Sequence, residues 1–203
     1  MLVVTLFMSL DGVVEIDPAW HFPYFDEHMG AAVEADYAGV DVLLLGRVTY
    51  DSFAGAWPGR ETAGEEDAAF ARRLGDMPKL VATRRGGDLG WRNAEAVAGE
   101  LVPAVRALTE TPGVGKVLVP GSISVVRQLL AAGLVDELSL LVHPVAARAG
   151  MRLFDEGAPI YPLHLLRTEV VPTGVVHLVY APGALPGSAG YDDIRGNVPG
   201  AST

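Results

Sequence analysis

The sequence contains no cysteine among its 203 residues. This absence excludes disulfides, thiolate metal ligands and a cysteine nucleophile. No apolar run reaches the roughly 18 residues that a membrane-spanning helix needs, and the amino terminus has neither the basic leader nor the cleavage site of a secretory signal. We therefore expect a cytoplasmic protein that has no membrane partner.

Basic residues are scarce, with 15 Lys and Arg against 25 Asp and Glu and a net charge of -10. Nonspecific nucleic-acid binding needs lysines and arginines massed on one face, so we expect no nucleic-acid partner. The overall field also repels small anions, and an anionic ligand would therefore need local basic clusters. Two such clusters follow predicted strands, one at Arg47 and one at Arg84 and Arg85.

Common hydrolase and metal signatures are missing. There is no G-x-S-x-G nucleophile elbow, and the five histidines show neither H-E-x-x-H nor another metal-ligand spacing. We expect no metal site. The sequence also contains neither the G-x-G-x-x-G dinucleotide fingerprint nor a P-loop.

The chain does contain buried strands alternating with amphipathic helices, followed by strands alone. The predicted strands are LVVTLFM, VDVLLLG, KLVATR, AEAVA, GKVLVP, DELSLLVHPV, LHLLRTEVV and GVVHLVYAP. This order predicts an α/β fold of three αβα layers with a mixed, mostly parallel sheet and an antiparallel carboxyl-terminal hairpin. We expect one domain over residues 1–181 and a tail over 182–203 that is rich in Gly, Pro and Ser.

Polar and basic residues gather where the predicted strands end, which is where α/β sheets bind ligands. The segments are Ser9–Gly12, Gly46–Tyr50, Thr83–Arg85 and Pro120–Ser124. They supply hydroxyls, guanidinium groups and helix-start amides, which are the groups that bind a dinucleotide phosphate. Each segment alone is also explained by ordinary turns, caps and solvated arginines. Their coincidence at three strand ends favours a ligand site.

The segment V-P-G-S-I-S illustrates the two interpretations. In one, Ser122 caps the following helix and Gly121 makes the turn. In the other, Gly121 lets a ligand approach the backbone, and a pyrophosphate accepts from helix amides and from the hydroxyls of Ser122 and Ser124.

Candidate substrate residues precede the second predicted strand. Asp11 is a candidate for substrate hydrogen bonding or proton relay, with an Asx-turn at Gly12 as the alternative. Asp26 and Glu27 open the next helix and either add a carboxylate or form an acidic first turn. An aromatic set is interpreted as a wall against a planar substrate or as a seal over the core, and it comprises Trp20, Phe22, Tyr24 and Phe25.

Taken together, the segments F-M-S-L-D-G, D-V-L-L-L-G-R-x-T-Y, K-L-V-A-T-R, V-P-G-S-I-S-V-V-R-Q-L-L-A-A-G-L-V-D-E-L and V-H-P-V…G…L-F resemble the dihydrofolate-reductase-like family. The resemblance covers about Leu2 to Tyr180. It is strongest to stand-alone versions of the reductase domain of the bifunctional riboflavin-biosynthesis deaminase–reductase. The deaminase half, with its zinc-binding His and Cys signature, has no counterpart in this sequence.

The resemblance implies NADPH as the cofactor, since such proteins let the cofactor supply the hydride. Gly46, Arg47 and Thr49 would lie along the adenosine and pyrophosphate, and Thr83 and Arg84 would meet the ribose 2′-phosphate. The pyrophosphate would lie against residues 121–124, which are Gly121, Ser122, Ile123 and Ser124. Met8 and Ser9 would lie near the nicotinamide.

The implied activity is hydride transfer to a C=N or C=O group of a small heterocyclic or sugar-linked substrate, similar to 5-amino-6-(5-phosphoribosylamino)uracil reductase. The family also implies a homodimer. Two departures make dihydrofolate the less favoured substrate. Pro120 replaces the first glycine of the Gly-Gly pair of true dihydrofolate reductases, and the acidic residue on their first helix has only an approximate counterpart in Asp26 or Glu27. A noncatalytic NADP-binding protein and an oligomeric scaffold stay as alternatives.

Overall fold

A computed structural model of the chain describes residues 1–64, 67–84, 88–154, 156–187 and 190. Its strands are β1 (Leu2–Ser9), β2 (Val42–Gly46), β3 (Lys79–Ala82), β4 (Ala94–Ala96), β5 (Val117–Val119), β6 (Glu137–His143), β7 (Leu163–Val170) and β8 (Val176–Pro182). Its α-helices are α1 (Pro18–His21), α2 (Glu27–Tyr37), α3 (Arg47–Arg60), α4 (Ala68–Asp76), α5 (Leu101–Thr109) and α6 (Ile123–Ala131).

The strands form one sheet in the order β4-β3-β2-β5-β1-β6-β8-β7. All neighbouring pairs among β1 to β6 are parallel, whereas β8 runs antiparallel to β6 and β7 antiparallel to β8. The carboxyl ends of the parallel strands lie along one side of the sheet. The residues at these ends are Ser9, Gly46, Ala82, Val119 and His143.

Helices cover both faces of the sheet, because the parallel strands are apolar on both sides. One core joins β1, β5 and β6 to α5 and α6, with Val105 and Leu129 among its buried residues. The other joins β1, β2 and β3 to α2, α3 and α4, with Tyr37 and Leu74 among its buried residues. The predicted three-layer αβα fold, with a mostly parallel sheet and a terminal hairpin, is confirmed.

The segment between β1 and α2 is more regular than its sequence indicated. It was predicted as an irregular aromatic connection, but it contains α1 and a 3₁₀ helix over Phe22–Tyr24. Asp17 caps α1 by accepting from the amide of Ala19 at 2.8 Å, and Pro18 occupies the first helical position. The predicted tail begins at the last residue of β8, and most of it lies outside the described residues.

A buried polar network anchors α2 to the sheet. Asp36 Oδ2 accepts from the hydroxyls of Thr5 and Ser139, each at 2.7 Å. His177 Nε2 lies 2.7 Å from Ser139 Oγ. Because buried polar groups are costly unless hydrogen-bonded, this network specifies how α2 sits on β1, β6 and β8.

Lys79 joins α4 to the start of β3. Its side chain is 1% exposed, and Nζ donates to the carbonyls of Gly75 (2.9 Å), Met77 (2.7 Å) and Arg92 (3.1 Å). The ammonium also lies 4.2 Å from the centre of the Trp91 ring. These contacts satisfy carbonyls at the end of α4, where the helix leaves them without partners.

None of the helices in the described part of the chain combines the length and apolar character that a membrane crossing requires.

We expect Lys79→Met to lower the free energy of unfolding by about 2–3 kcal/mol, because carbonyls in the interior lose a charged donor. Lys116→Met is the matched control. Lys116 Nζ donates to the carbonyls of Asp36 (2.7 Å) and Ala38 (3.1 Å), but this lysine is half-buried, so water replaces the lost donor. Urea unfolding of both variants measures the difference. Equal losses would show that burial does not decide the contribution of Lys79.

Candidate functional site

Three strand ends and three helix starts line one cleft of about 600 Å³. Gly46 and Arg47 come from the β2–α3 junction, Thr83 and Arg84 follow β3, and residues 122–125 open α6. The start of α5 completes the lining. The structure thus brings together the segments after β2, β3 and β5 that the sequence singled out.

The β2–α3 and β5–α6 junctions are in direct backbone contact. The amide of Gly46 donates to the carbonyl of Gly121 at 3.0 Å. A Cβ on Gly46 would lie 2.8 Å from the amide nitrogen of Ser122. Gly121 has a φ of +136°, and a Cβ there would lie 2.7 Å from Thr49 Oγ1. Both positions therefore require glycine.

Ser122 does not cap its own helix, so the capping interpretation is wrong for its side chain. Its Oγ instead accepts from the amide of Thr49 at 3.3 Å and lies 3.2 Å from Thr49 Oγ1. Thr49 is the third residue of α3, where helix amides lack intrahelical partners. Ser122 therefore caps the neighbouring helix and ties the two junctions together.

The starts of α3, α5 and α6 all border the cleft. In α6 the first backbone bonds run from the amides of Val125 and Val126 to the carbonyl of Ser122, at 2.9 and 3.1 Å. The amides of Ile123 and Ser124 precede these bonds. Helix-start amides and the positive ends of helix dipoles favour an anion. The side chain of Ile123 is buried in the core, whereas Ser124 is exposed.

The basic residues of the cleft differ in their pairing. Arg47 Nε donates to both carboxylate oxygens of Asp51, at 2.8 and 3.0 Å. Arg84 is exposed and, within the described part of the chain, forms no ion pair. Thr83 is half-buried beside it, and Arg85 lies outside the described residues. Arg84 is thus the guanidinium most available to a phosphate.

Asp11 is held by the loop that follows β6. Its Oδ1 accepts from Ser9 Oγ (2.6 Å) and from the amide of Ala147 (2.9 Å), and Oδ2 accepts from the amide of Arg148 (2.9 Å). The Ser9 hydroxyl, followed by those amides, lowers the pKa of Asp11 to about 2. These contacts favour a structural role, and the predicted proton relay stays a prediction.

The residues placed near the nicotinamide by resemblance are enclosed. Ser9 is fully buried, with its hydroxyl bonded to Asp11 and to the amide of Val13 at 3.0 Å. Met8 is half-buried and packs against the α5–α6 core. An Asx-turn at Asp11 would require its carboxylate to accept from the amide of Val13. That amide donates to Ser9 Oγ instead, so the Asx-turn does not form.

A buried pair of histidines lies at the same sheet edge. His143 ends β6 opposite Ser9 of β1, and its Nε2 lies 3.2 Å from His21 Nδ1. His143 Nδ1 lies 3.1 Å from the carbonyl of Leu141. A carbonyl only accepts, so His143 Nδ1 carries the proton. His143 Nε2 then accepts from His21 Nδ1–H, which leaves His21 Nε2 as an acceptor.

Both imidazoles are neutral near pH 7. Burial lowers the pKa of His21 to about 4, and the adjacent His143 acts in the same direction. Burial also lowers the pKa of His143. Its hydrogen bonds to the carbonyls of Leu141 and Met8 raise that pKa, but burial is the larger effect. Sequence reasoning assigned neither histidine to the site, because their contact joins residues 122 positions apart.

Aromatic side chains surround the histidine pair. The Trp20 ring centre lies 5.0 Å from that of His143, and that of Tyr24 lies 5.7 Å from it. Phe22 is 63% exposed to solvent. Asp26 caps α2 by accepting from the amide of Met29 at 2.9 Å, and Glu27 is exposed. Both residues therefore form an acidic first turn of α2, which was one of their two interpretations. The aromatic wall predicted for the substrate stays a prediction.

Residues at the start of α5 also line the cleft and were missed. These are Gly99, Glu100 and Leu101. The sequence does carry a signal for them. Gly99 lies between a short strand and a helix, as Gly46 lies between β2 and α3. Only the position of β4 beside β3 brings this helix start to the cleft.

The chain matches known proteins over nearly all its length. The family model of the RibD C-terminal domain matches residues 1–177. YyaP of Bacillus subtilis (strain 168) is 25% identical over 181 residues, which cover 88% of this chain and 93% of YyaP.

Solved structures share the fold. A putative riboflavin biosynthesis protein from Shewanella sp. PV-4 superposes with a TM-score of 0.65 at 20% identity, covering 90% of this chain and 99% of that one. A pyrimidine reductase-like protein from Corynebacterium diphtheriae gives 0.63 at 14%, with coverage of 91% and 92%. RibD from Acinetobacter baumannii gives 0.63 at 14%, with coverage of 90% of this chain and 57% of RibD.

We expect Gly46→Ala to lower the free energy of unfolding by about 1–3 kcal/mol, because its Cβ would displace Ser122. Gly55→Ala, in the middle of α3, is the control. A Cβ there meets no atom within 4 Å, so alanine should be neutral or stabilise the helix by up to roughly 1 kcal/mol. Denaturant unfolding compares them. A Gly46→Ala variant as stable as Gly55→Ala would contradict the close contact.

The low pKa of Asp11 predicts a pH-dependent stability. A carboxyl whose folded pKa is about 2, against an ordinary 3.8, stabilises the fold fully above 3.8 and loses that contribution as pH falls through 2. The stability difference between the native chain and Asp11→Asn should therefore be constant from pH 7 to 5 and should shrink below pH 4. Urea unfolding across this range measures it, and a difference that does not change would refute the bonding described for Asp11.

Proposed function

The chain belongs to the RibD C-terminal domain family, and from this premise we propose that it is an NADPH-dependent reductase. Its hydride acceptor would be a C=N or C=O group of a small heterocyclic or sugar-linked substrate, similar to that of 5-amino-6-(5-phosphoribosylamino)uracil reductase. The observation that carries the proposal is the cleft in which three strand ends and three helix starts meet.

The residues of the cleft fit a dinucleotide. Gly46 and Gly121 let the β2–α3 and β5–α6 junctions lie in contact, which brings the starts of α3 and α6 to the same cleft. The amides of Ile123 and Ser124 and the hydroxyl of Ser124 would bind the pyrophosphate. Gly46, Arg47 and Thr49 would flank it on the α3 side. When bound, NADPH supplies the hydride.

Arg84 would bind the 2′-phosphate that distinguishes NADPH from NADH. It is exposed at the rim of the cleft beside Thr83, whereas Arg47 is partly neutralised by Asp51. In a chain of net charge -10, an unpaired guanidinium is needed to hold a dianionic group.

The substrate would lie at the β1–β6 end of the site. Trp20, Phe22 and Tyr24 would provide the aromatic wall, with Asp26 at the start of α2. The neutral His21–His143 pair offers His21 Nε2 as an acceptor, so it favours a substrate that presents an N–H or O–H donor. Asp11, held by the amides of Ala147 and Arg148, would be the carboxylate for substrate hydrogen bonding or proton relay.

Calorimetry with NADPH and NADH tests the cofactor. Oxidation of NADPH in the presence of 5-amino-6-(5-phosphoribosylamino)uracil or dihydrofolate then tests the substrate. Turnover of the first compound supports the proposal, and turnover of dihydrofolate alone would make the chain a folate reductase. Tight NADPH binding without oxidation by any compound would favour a noncatalytic NADP-binding role. Failure to bind either nucleotide would eliminate the reductase.

We expect Arg84→Ala to weaken NADPH binding about tenfold to a hundredfold, since a charge-assisted bond contributes roughly 1.5–3 kcal/mol. NADH lacks the 2′-phosphate, so its affinity should change little. Arg106→Ala, on the exposed face of α5, is the control and should alter neither affinity. Equal losses for both nucleotides would refute the phosphate role of Arg84.

A further inference from the structure

Two opposite charges on the walls of the cleft are not paired with each other. The charged side chains that line the cleft are those of Arg47, Asp51, Arg84 and Glu100. Arg47 and Asp51 form an ion pair with each other. Arg84 and Glu100 form no ion pair with any residue in the described part of the chain. The cleft therefore offers a ligand one carboxylate as well as one guanidinium.

The carboxylate of Glu100 does not bond to its own helix. Glu100 is the capping residue of α5, but its side chain makes no capping hydrogen bond. A capping side chain accepts from the amide of the second or third helical residue. The third residue of α5 is Pro103, which has no amide hydrogen. Glu100 is also exposed, so its carboxylate is free to accept a hydrogen bond from a ligand.

The strand order places Glu100 beyond Arg84 in the cleft. Outward from β5, the sheet continues through β2 and β3 to β4. The pyrophosphate proposed above would lie at the starts of α6 and α3, and the 2′-phosphate at Arg84 after β3. The next strand end is that of β4, which is followed by Glu100 and α5. The adenine ring of the proposed cofactor would therefore lie beside the start of α5.

This part of the cleft combines an apolar surface with hydrogen-bond acceptors. The apolar side chains, which pack on the core beneath α5 and α6, are Val97, Leu101 and Val125. Gln128 Nε2 donates to the carbonyl of Ser124 at 2.8 Å, which leaves Oε1 as an acceptor. The carboxylate of Glu100 is a second acceptor. The amino group of adenine carries two hydrogens and is the matching donor.

We propose that Glu100 determines the base specificity of the cleft by accepting a hydrogen bond from the amino group of the adenine ring. The inference rests on the proposed binding of NADPH and adds a specificity residue to it. A base with a carbonyl in place of the amino group would be rejected, because two acceptors would then face each other. Base and phosphate are thereby recognised by different residues, Glu100 and Arg84.

Calorimetry with NADPH and with its hypoxanthine analogue, in which a carbonyl replaces the adenine amino group, tests the proposal on the full chain. The native chain should bind NADPH about tenfold more tightly than the analogue, since a hydrogen bond to a charged group contributes roughly 1.5–3 kcal/mol. Glu100→Ala should weaken NADPH binding and remove most of this preference. Glu100→Gln should bind the analogue more tightly than the native chain does, because its amide can donate to the carbonyl.

Glu110→Ala is the matched control. Glu110 is exposed at the other end of α5, so its removal changes the net charge equally and should alter neither affinity. Circular dichroism checks that each variant is folded.

The outcomes separate this inference from the proposed function. A native chain that binds neither nucleotide would overturn both. Equal native affinities for NADPH and the analogue, or equal losses of both on Glu100→Ala, would overturn the role of Glu100 while NADPH binding stands. A Glu100→Ala variant that binds NADPH more tightly, with its NADH affinity unchanged, would also refute the role, because the carboxylate would then oppose the 2′-phosphate.

Discussion

The contact between the β2–α3 and β5–α6 junctions is the constraint on which the site depends. Gly46 donates to the carbonyl of Gly121, and the Ser122 hydroxyl caps α3 across the gap. Side chains at either glycine would force the junctions apart. Because the two strands are neighbours in the sheet, their closeness brings two helix starts to one cleft. A pair of hydrogen bonds and two missing Cβ atoms thereby hold the two helix starts together at the cleft.

Charge has to be concentrated at that surface, because the rest of the chain is acidic. Helix-start amides contribute positive potential without adding basic residues. Arg47 is held by Asp51, while Arg84 keeps its charge unpaired within the described residues. One guanidinium at the cleft is therefore held within its own helix, and the other is exposed to solvent.

Sequence patterns predicted the elements well and the side-chain roles less well. Apolar runs located the strands. Gly46 and Gly121 were predicted to let a ligand approach the backbone, whereas the structure places Ser122 against Gly46 and Thr49 against Gly121. The role of Ser122 was not predictable from its position before a helix, because its partner Thr49 lies 73 residues away. For the same reason the hydrogen bonds that Asp11 accepts from the amides of Ala147 and Arg148 could not be predicted from its position after β1.

The sequence by itself determined the layers and the strand ends at which the cleft lies, because periodicity decides which residues are buried and parallel strands place their carboxyl ends together. Tertiary structure alone decided which polar groups are free. The partners of Ser122, Asp11 and His143 come from distant strands and loops, so only the packed chain shows that Ser122 caps another helix, that Asp11 is saturated and that His143 meets His21. Hydrogen-bond partners are chosen by three-dimensional proximity, and local sequence does not encode that proximity.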